Sequence, residues 1–212
     1  MNLKNFLGLL TLLGLATVAM AADQPASNGP DELVFKAPDH LLPLDGGGIG
    51  LYQGYLDFLK AVTPRSDNPQ SSVYIWPSFK PAIFMAIYQT GDEKSYYLLY
   101  ALATKPNPTV STMPVPDAFA KAVSEKLEKI IRASTHYPSA NQVYIECTDG
   151  TSYIFESYNL YGAAGCPAAG VSLQLEHVAN DLVDLAELRL ASQPEQKAKM
   201  EKILSELDAT SY

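Results

Sequence analysis

Two apolar runs separated by a short polar segment place the strongest limit on the fold of this chain. Residues 82–89 and 96–103 are rich in β-branched and aromatic side chains, and the segment GDEK (residues 91–94) lies between them. This pattern is typical of a β-hairpin. Because apolar side chains occur on both faces of each predicted strand, we expect the hairpin to lie centrally in a covered sheet.

A second hairpin is predicted further along the chain. Asp149 and Gly150 lie between two segments of alternating apolar and polar residues, which together span residues 143–157. Asp-Gly in this context favours a two-residue turn. Apolar residues at helical spacing predict helices over residues 51–62, 118–134 and 172–191, and again after the capping box of Ser192 and Glu195. We therefore expect an α+β fold, in which an antiparallel sheet built from two hairpins (about 82–103 and 143–157) has helices packed on it.

Two segments are predicted to be loops. Residues 105–116 contain four prolines, which exclude a regular helix or a central strand. Residues 159–170 contain three glycines and one proline, a composition typical of a loop. The proline-rich segment is also long enough to be an exposed loop with a function.

The first residues have the three parts of a secretory signal peptide. Lys4 lies close to the amino terminus, and a mostly apolar, uncharged run follows it. Ala19 and Ala21 place small residues at the two positions that signal peptidase reads. The alternative is an uncleaved anchor, but the strongly apolar stretch 6–20 is shorter than the ~20 residues needed to span a bilayer.

Cleavage of this peptide would divide the chain into three parts. We expect residues 1–21 to be the signal peptide, residues 22–32 a flexible leader and residues 33–212 a single α+β domain. Since no later stretch is long and apolar enough to span a bilayer, we expect no stable membrane insertion after cleavage. The expected localisation is periplasmic or secreted.

Cys147 and Cys166 are the only cysteines. In an exported protein an even number of cysteines favours a disulfide, so we expect these two to be bridged. The alternative is a reactive or metal-binding pair. Metal sites need three or four clustered ligands, and the sequence has no ligand spacing of that kind. No metal or other cofactor is therefore predicted.

The charge balance limits the class of partner. The chain has 15 Lys and Arg against 23 Asp and Glu, a formal net charge of -8. Nucleic-acid binding needs a basic surface, so it is not expected, whereas a basic protein would be attracted. The sequence also lacks the Gly-x-Ser-x-Gly and Ser-x-x-Lys motifs of serine enzymes. We therefore favour a non-catalytic, exported protein-binding domain, such as an inhibitor, an immunity-type protein or an accessory protein.

A group of tyrosines is the candidate binding surface. Tyrosine has apolar area and a polar tip, and it is enriched at protein interfaces. The segment 105–116 is a second exposed candidate. Cross-strand aromatic pairs also stabilise sheets, so some of these tyrosines could be half-buried sheet residues instead. The predicted binding residues are Tyr137, Tyr144, Tyr153, Tyr158 and Tyr161.

Two other functions stay open. A small hydrolase or small-ligand-binding protein of the cell envelope would use His136 or His177 with nearby carboxylates. Glu176 and Asp181 lie within one helical turn of His177, so they are the carboxylates available to it. The third hypothesis, an envelope structural protein, depends on the predicted localisation alone.

Overall fold

The described part of the chain is built around an antiparallel β-sheet. The structure is a computed structural model that describes residues 34–36, 39–43, 49–62, 69–90, 95–104, 107–136, 142–144 and 149–210. All of these belong to one unit, Leu33–Tyr212. In chain order the strands are β1 (Val34–Lys36), β2 (Ser71–Pro77), β3 (Ile83–Gln89), β4 (Tyr96–Leu102), β5 (Thr109–Val115), β6 (Gln142–Tyr144), β7 (Thr151–Ser157) and β8 (Leu160–Gly165). Six of them form a sheet of order β5-β4-β3-β2-β7-β8, and β1 pairs with β6 in parallel.

Helices cover both faces of the six-stranded sheet. They are α1 (Ile49–Val62), α2 (Asp117–Ser134), α3 (Gly170–Glu187) and α4 (Gln193–Ala209). Helices α2 and α3 contact one face of the sheet, and α4 packs against both of them. Helix α1 packs on the opposite face. This arrangement confirms the predicted α+β fold with helices on an antiparallel sheet.

Alternation along the strands produces two separate hydrophobic cores. In β2, Val73 and Ile75 belong to the core beneath α2, α3 and α4, whereas Tyr74 belongs to the core beneath α1. Successive side chains of a strand point to opposite faces, so apolar residues at every position supply both cores. Phe84 and Ile154 lie fully buried in the α1 core, on the same row of the sheet as Tyr74.

The first predicted hairpin is confirmed, because β3 and β4 pair along their whole length. The second hairpin lies further along the chain than the sequence indicates. It joins β7 to β8 through Tyr158 and Asn159, and the other edge of β7 pairs with β2. Both edges of β7 are therefore occupied, and β6, the described strand that precedes β7 in the chain, pairs with β1 instead.

Both predicted loops contain strands, so those two predictions were wrong. Strand β8 tolerates Gly162 because Leu41 packs against it, and a Cβ atom there would lie 2.6 Å from Leu41 Cδ1. A glycine in a strand often marks such a close approach. Strand β5 accommodates Pro114 because it lies at the edge of the sheet, where a missing N–H can face away from β4.

A nearly buried carboxylate joins α3 to α4. Asp181 of α3 accepts a hydrogen bond from Lys199 at 2.8 Å and forms an ion pair with Lys202 at 2.7 Å. Lys199 also pairs with Asp184, at 2.7 Å. Burial alone would raise the pKa of Asp181, but the hydrogen bonds from Lys199 and Lys202 outweigh it and lower that pKa. The ionised form of Asp181 therefore stabilises the packing of α4.

Replacing Asp181 with asparagine is expected to lower the free energy of unfolding by about 1.5–3 kcal/mol at neutral pH, because hydrogen bonds to a charged group are lost. In the wild type, folding lowers the pKa of Asp181. The stabilisation by ionised Asp181 is therefore present above the unfolded Asp pKa of about 3.9, and it is lost as the pH falls through the folded-state pKa. Urea unfolding at neutral pH and near pH 3 measures the difference between wild type and variant. That difference should shrink in acid, and a constant difference would contradict the prediction.

Asp208→Asn is the matched control. Asp208 also lies on α4 and pairs with Lys126, but its side chain is 64% exposed. Exposed ion pairs contribute about 0–1 kcal/mol. We therefore expect little effect from this variant at either pH.

Candidate functional site

The five predicted tyrosines do not form one surface among the described residues. Tyr153 is only 2% exposed, and its hydroxyl donates to Glu176 of α3 at 3.0 Å. Burial raises the pKa of Tyr153, and the Glu176 carboxylate raises it further. Tyr161 is half-buried on the opposite face, against the α1 core. Tyr137 lies outside the described residues, and the same holds for the side chain of Tyr144.

Of the three predicted tyrosines whose side chains the structure describes, Tyr158 is the exposed one, and its backbone conformation is unusual. It lies at the turn between β7 and β8, where Tyr158 has φ 47° and Asn159 has φ 65°. Two successive positive φ values define the hairpin turn that matches the twist of the strands. Asparagine adopts this conformation readily, but a bulky residue there is uncommon and is strained. Strain of this kind is found preferentially at functional sites.

Neighbouring elements hold the Tyr158 turn in place. The backbone N–H of Tyr158 donates to the carbonyl of Gln70, which precedes β2, at 3.0 Å. The adjacent Ser157 is fully buried, and its hydroxyl donates to the carbonyl of Ser124 in α2 at 2.7 Å. The Tyr158 side chain is 42% exposed, so it is presented to solvent from a backbone fixed on two sides.

The surroundings of Tyr158 are negatively charged. Burial raises the pKa of Tyr158, and the nearby carboxylates of Glu125 and Glu128 on α2 raise it further. Glu128 pairs with Arg132 at 2.8 Å, whereas Glu125 forms no ion pair with a described residue. An aromatic ring beside an unpaired carboxylate can hold a cation through both the ring face and the charge. We call Tyr158, Glu125 and Glu128 the Tyr158 surface.

A second pair of exposed aromatic residues lies at the other end of β2. Trp76 ends the buried part of that strand, and Phe79, in the turn that follows, is 82% exposed. Ser78 holds this turn, because its N–H and its hydroxyl each donate to the carbonyl of Gly150 at 2.9 Å. The two ends of β2 are about 20 Å apart at ~3.3 Å per residue, so these residues cannot belong to the Tyr158 surface.

The carboxylates expected beside His177 are engaged elsewhere. Glu176 accepts the hydrogen bond from Tyr153, and Asp181 pairs with lysines of α4. His177 itself is exposed on α3. The hydrolase hypothesis therefore finds no histidine–carboxylate pair at His177 within the part of the chain that the structure describes.

His136 has a neighbour, His40, that no local sequence pattern indicates. Its ring lies 5.0 Å from the ring of His40, measured between centroids. These histidines are distant in the sequence, and they meet because Leu41 pairs in parallel with Thr135. No spacing motif could have found this pair, because the contact depends on how residues 39–42 cross the end of α2.

A buried polar cluster lies between α1 and the sheet. The hydroxyl of Tyr55 donates to the carboxylate of Glu156, and Ser72 donates to the same oxygen at 2.8 Å. Glu156 is 6% exposed. Burial raises the pKa of Tyr55, and the Glu156 carboxylate raises it further, so the hydroxyl keeps its proton and donates. Because the cluster is closed to solvent, its role is to hold α1 on the sheet.

Other predicted features lie wholly or partly outside the described residues. Residues 1–32, with the predicted signal peptide and leader, lie outside them, as does Cys147. Cys166 follows β8, and its N–H donates to the carbonyl of Thr151 at 3.0 Å. The disulfide therefore stays a prediction. Among the described residues, no three His, Cys, Asp or Glu side chains cluster to hold a metal ion, and no helix is long and apolar enough to cross a membrane.

Comparison with protein-family models, with curated proteins and with solved structures gives no match for this chain. The fold defines its class, an α+β domain with helices on both faces of one antiparallel sheet. Fold alone does not determine function, so the side chains described above carry the functional conclusion.

Proposed function

We propose that this chain is an exported, non-catalytic protein-binding domain whose Tyr158 surface binds a cationic side chain of a basic partner. The observation that supports this proposal most is the presentation of Tyr158, a strained and exposed aromatic residue on a fixed turn. Aromatic residues held rigidly contribute large contact area at low entropic cost, and they dominate binding energy at many interfaces.

The charge near the turn supports a cationic partner group. Glu125 has no described ion-pair partner, and a bound Lys or Arg would supply one. Helix α2 already has one lysine placed over a tyrosine ring, since Lys121 Nζ lies 5.9 Å from the centre of the Tyr96 ring. The net charge of -8 would increase the rate of association with a basic protein. Export is proposed from the sequence of residues 1–21 alone.

Alanine at Tyr158 is expected to weaken binding of the partner by about 10-fold or more, as for an aromatic hot spot. The partner is first captured from cell-envelope and culture extracts with oxidised residues 22–212, identified by mass spectrometry and purified. Calorimetric titration then compares the wild type with Tyr158→Ala, Tyr158→Phe and Glu125→Gln. Tyr158→Phe keeps the ring face and should retain most of the affinity, while Glu125→Gln should reduce the dependence of affinity on salt.

Two controls distinguish this surface from the rest of the molecule. Phe79→Ala removes a more exposed aromatic residue at the opposite end of β2, and Glu201→Gln removes an exposed charge on α4. Both should leave the affinity unchanged. Loss of binding in Phe79→Ala with none in Tyr158→Ala would contradict the proposed surface. The intact mass of protein purified from the envelope tests export, because a chain that still begins at Met1 would contradict it.

A further inference from the structure

We propose that His40 and His136 form a binding site for one divalent transition-metal ion of the zinc and copper class. This site is separate from the Tyr158 surface. Three features of the two residues favour metal binding: the distance between the rings, the tautomer of each ring and the backbone that holds them.

The distance between the rings fits a shared metal ion. Their centroids are 5.0 Å apart, and the ring planes are inclined by 48°. A zinc–imidazole nitrogen bond is about 2.0–2.1 Å long, which places the ion roughly 3.2 Å from each ring centroid. Two rings at a tetrahedral angle around one ion would then have centroids about 5 Å apart. The observed separation therefore allows both rings to bind a single ion.

Hydrogen bonds set the tautomer of both rings. Nδ1 of His40 lies 2.8 Å from a carboxylate oxygen of Asp39, and Nδ1 of His136 lies 3.1 Å from the carbonyl oxygen of Thr135. Each of these acceptors requires that Nδ1 donates a hydrogen. The lone pair of each neutral ring is then on Nε2, the nitrogen that would bind the metal. A carboxylate or a backbone carbonyl on the other nitrogen is the usual outer partner of a metal-binding histidine.

The fold holds both histidines before any ion binds. Leu41 donates its N–H to the carbonyl of Ser134 at 3.2 Å, and His136 donates its N–H to the carbonyl of Leu41 at 3.0 Å. On its other side, Leu42 exchanges two backbone hydrogen bonds with Ala163 of β8, at 2.7 and 2.8 Å. The backbone of His136 and the segment that follows His40 therefore belong to one short ladder, which reduces the entropy lost on binding.

The chemistry of the two ligands limits the ion. Imidazole nitrogen suits zinc, copper and nickel, whereas magnesium and calcium prefer oxygen. No third His, Cys, Asp or Glu joins the cluster within the described residues, so water would complete the coordination. Two protein ligands imply a weaker site than the three or four of a structural zinc site.

Calorimetric titration of residues 22–212 with zinc chloride tests the proposal. We expect one zinc ion per chain, and at least a 10-fold weaker association for His40→Gln and for His136→Gln. His177→Gln is the matched control, because His177 is the third histidine of the chain and lies exposed on α3. It should bind zinc as the wild type does. Magnesium should give no heat of binding.

Spectroscopy distinguishes loss of the metal ligands from misfolding of a variant. Copper(II) bound to the wild type should show electron paramagnetic resonance splitting from two imidazole nitrogens, and each single variant should show splitting from at most one. Far-ultraviolet circular dichroism of the metal-free variants reports whether they fold. Zinc binding that is unchanged in both His40→Gln and His136→Gln, equal loss in His177→Gln, or no binding by the wild type would each overturn the site.

Discussion

Replacing Gly170 with alanine is expected to lower the free energy of unfolding by about 2–5 kcal/mol. Gly170 begins α3 with φ +60°, a conformation that costs other residues roughly 1–2 kcal/mol. A Cβ atom there would lie 2.3 Å from the backbone carbonyl oxygen of Asp39. Because that oxygen belongs to backbone, residue 39 or the start of α3 has to move, and overpacking of this kind costs a further ~1–3 kcal/mol. Urea unfolding followed by circular dichroism measures the effect.

The same substitution at Gly54 should have the opposite sign. Gly54 lies inside α1, where a Cβ atom would meet the Tyr74 hydroxyl at 3.4 Å and the Trp76 ring at 3.9 Å, both ordinary contact distances. Alanine in a helix interior is favoured over glycine by about 0.5–1 kcal/mol. Gly54→Ala should therefore raise the urea midpoint while Gly170→Ala lowers it. An unchanged midpoint in Gly170→Ala would show that the start of α3 is not confined as described.

Removing the Tyr55 ring should have the second large effect. The side chain is fully buried, and its ring centre lies 5.9 Å from that of Tyr74 and 6.0 Å from that of Phe84. Truncation of a buried aromatic residue to alanine costs about 3–5 kcal/mol. Tyr55→Phe keeps the ring and removes one hydrogen-bond donor from the buried Glu156, which should cost about 1–3 kcal/mol.

Fluorescence can separate loss of α1 packing from global unfolding. Trp76 is the single tryptophan of the chain, and it lies beside Gly54 of α1. In Tyr55→Ala its emission should shift to longer wavelength at urea concentrations where far-ultraviolet circular dichroism still reports a folded sheet. Equal destabilisation by Tyr55→Phe and Tyr55→Ala would mean that the hydroxyl contributes the whole effect, contrary to the expected contribution of the ring.

Local sequence patterns were sufficient where neighbouring residues alone decide the structure. The β3–β4 hairpin, helix α1 and the capping box of α4, in which the Ser192 N–H donates to Glu195 at 3.0 Å, follow from patterns a few residues long. Strands β5 and β8 could not be predicted from such patterns, because Pro114 and Gly162 lower the strand preference of their segments. Each residue is tolerated for a tertiary reason: a sheet edge for Pro114 and the approach of Leu41 for Gly162.

The candidate sites were only partly accessible from sequence. Aromatic composition identified Tyr158, but the same argument also selected Tyr153, whose burial depends on the packing of α3. The strain at Tyr158 could not be anticipated, since the Asp-Gly signal placed the hairpin turn several residues earlier. His40 was missed because its contact with His136 depends on pairing between distant segments.

The proline at the sheet edge limits how this protein can polymerise. Strand β5 pairs with β4 alone among the strands of the sheet, so its outer side is where the strand of another molecule could add. Alternate residues of a strand direct their N–H groups to the same edge. Val110 and Thr112 direct theirs to the outer edge of β5. Pro114 occupies the next outward position and has no N–H. An incoming strand would find two donors in succession and then a gap. At the high concentrations of a crowded compartment, Pro114 therefore opposes the growth of a continuous intermolecular sheet.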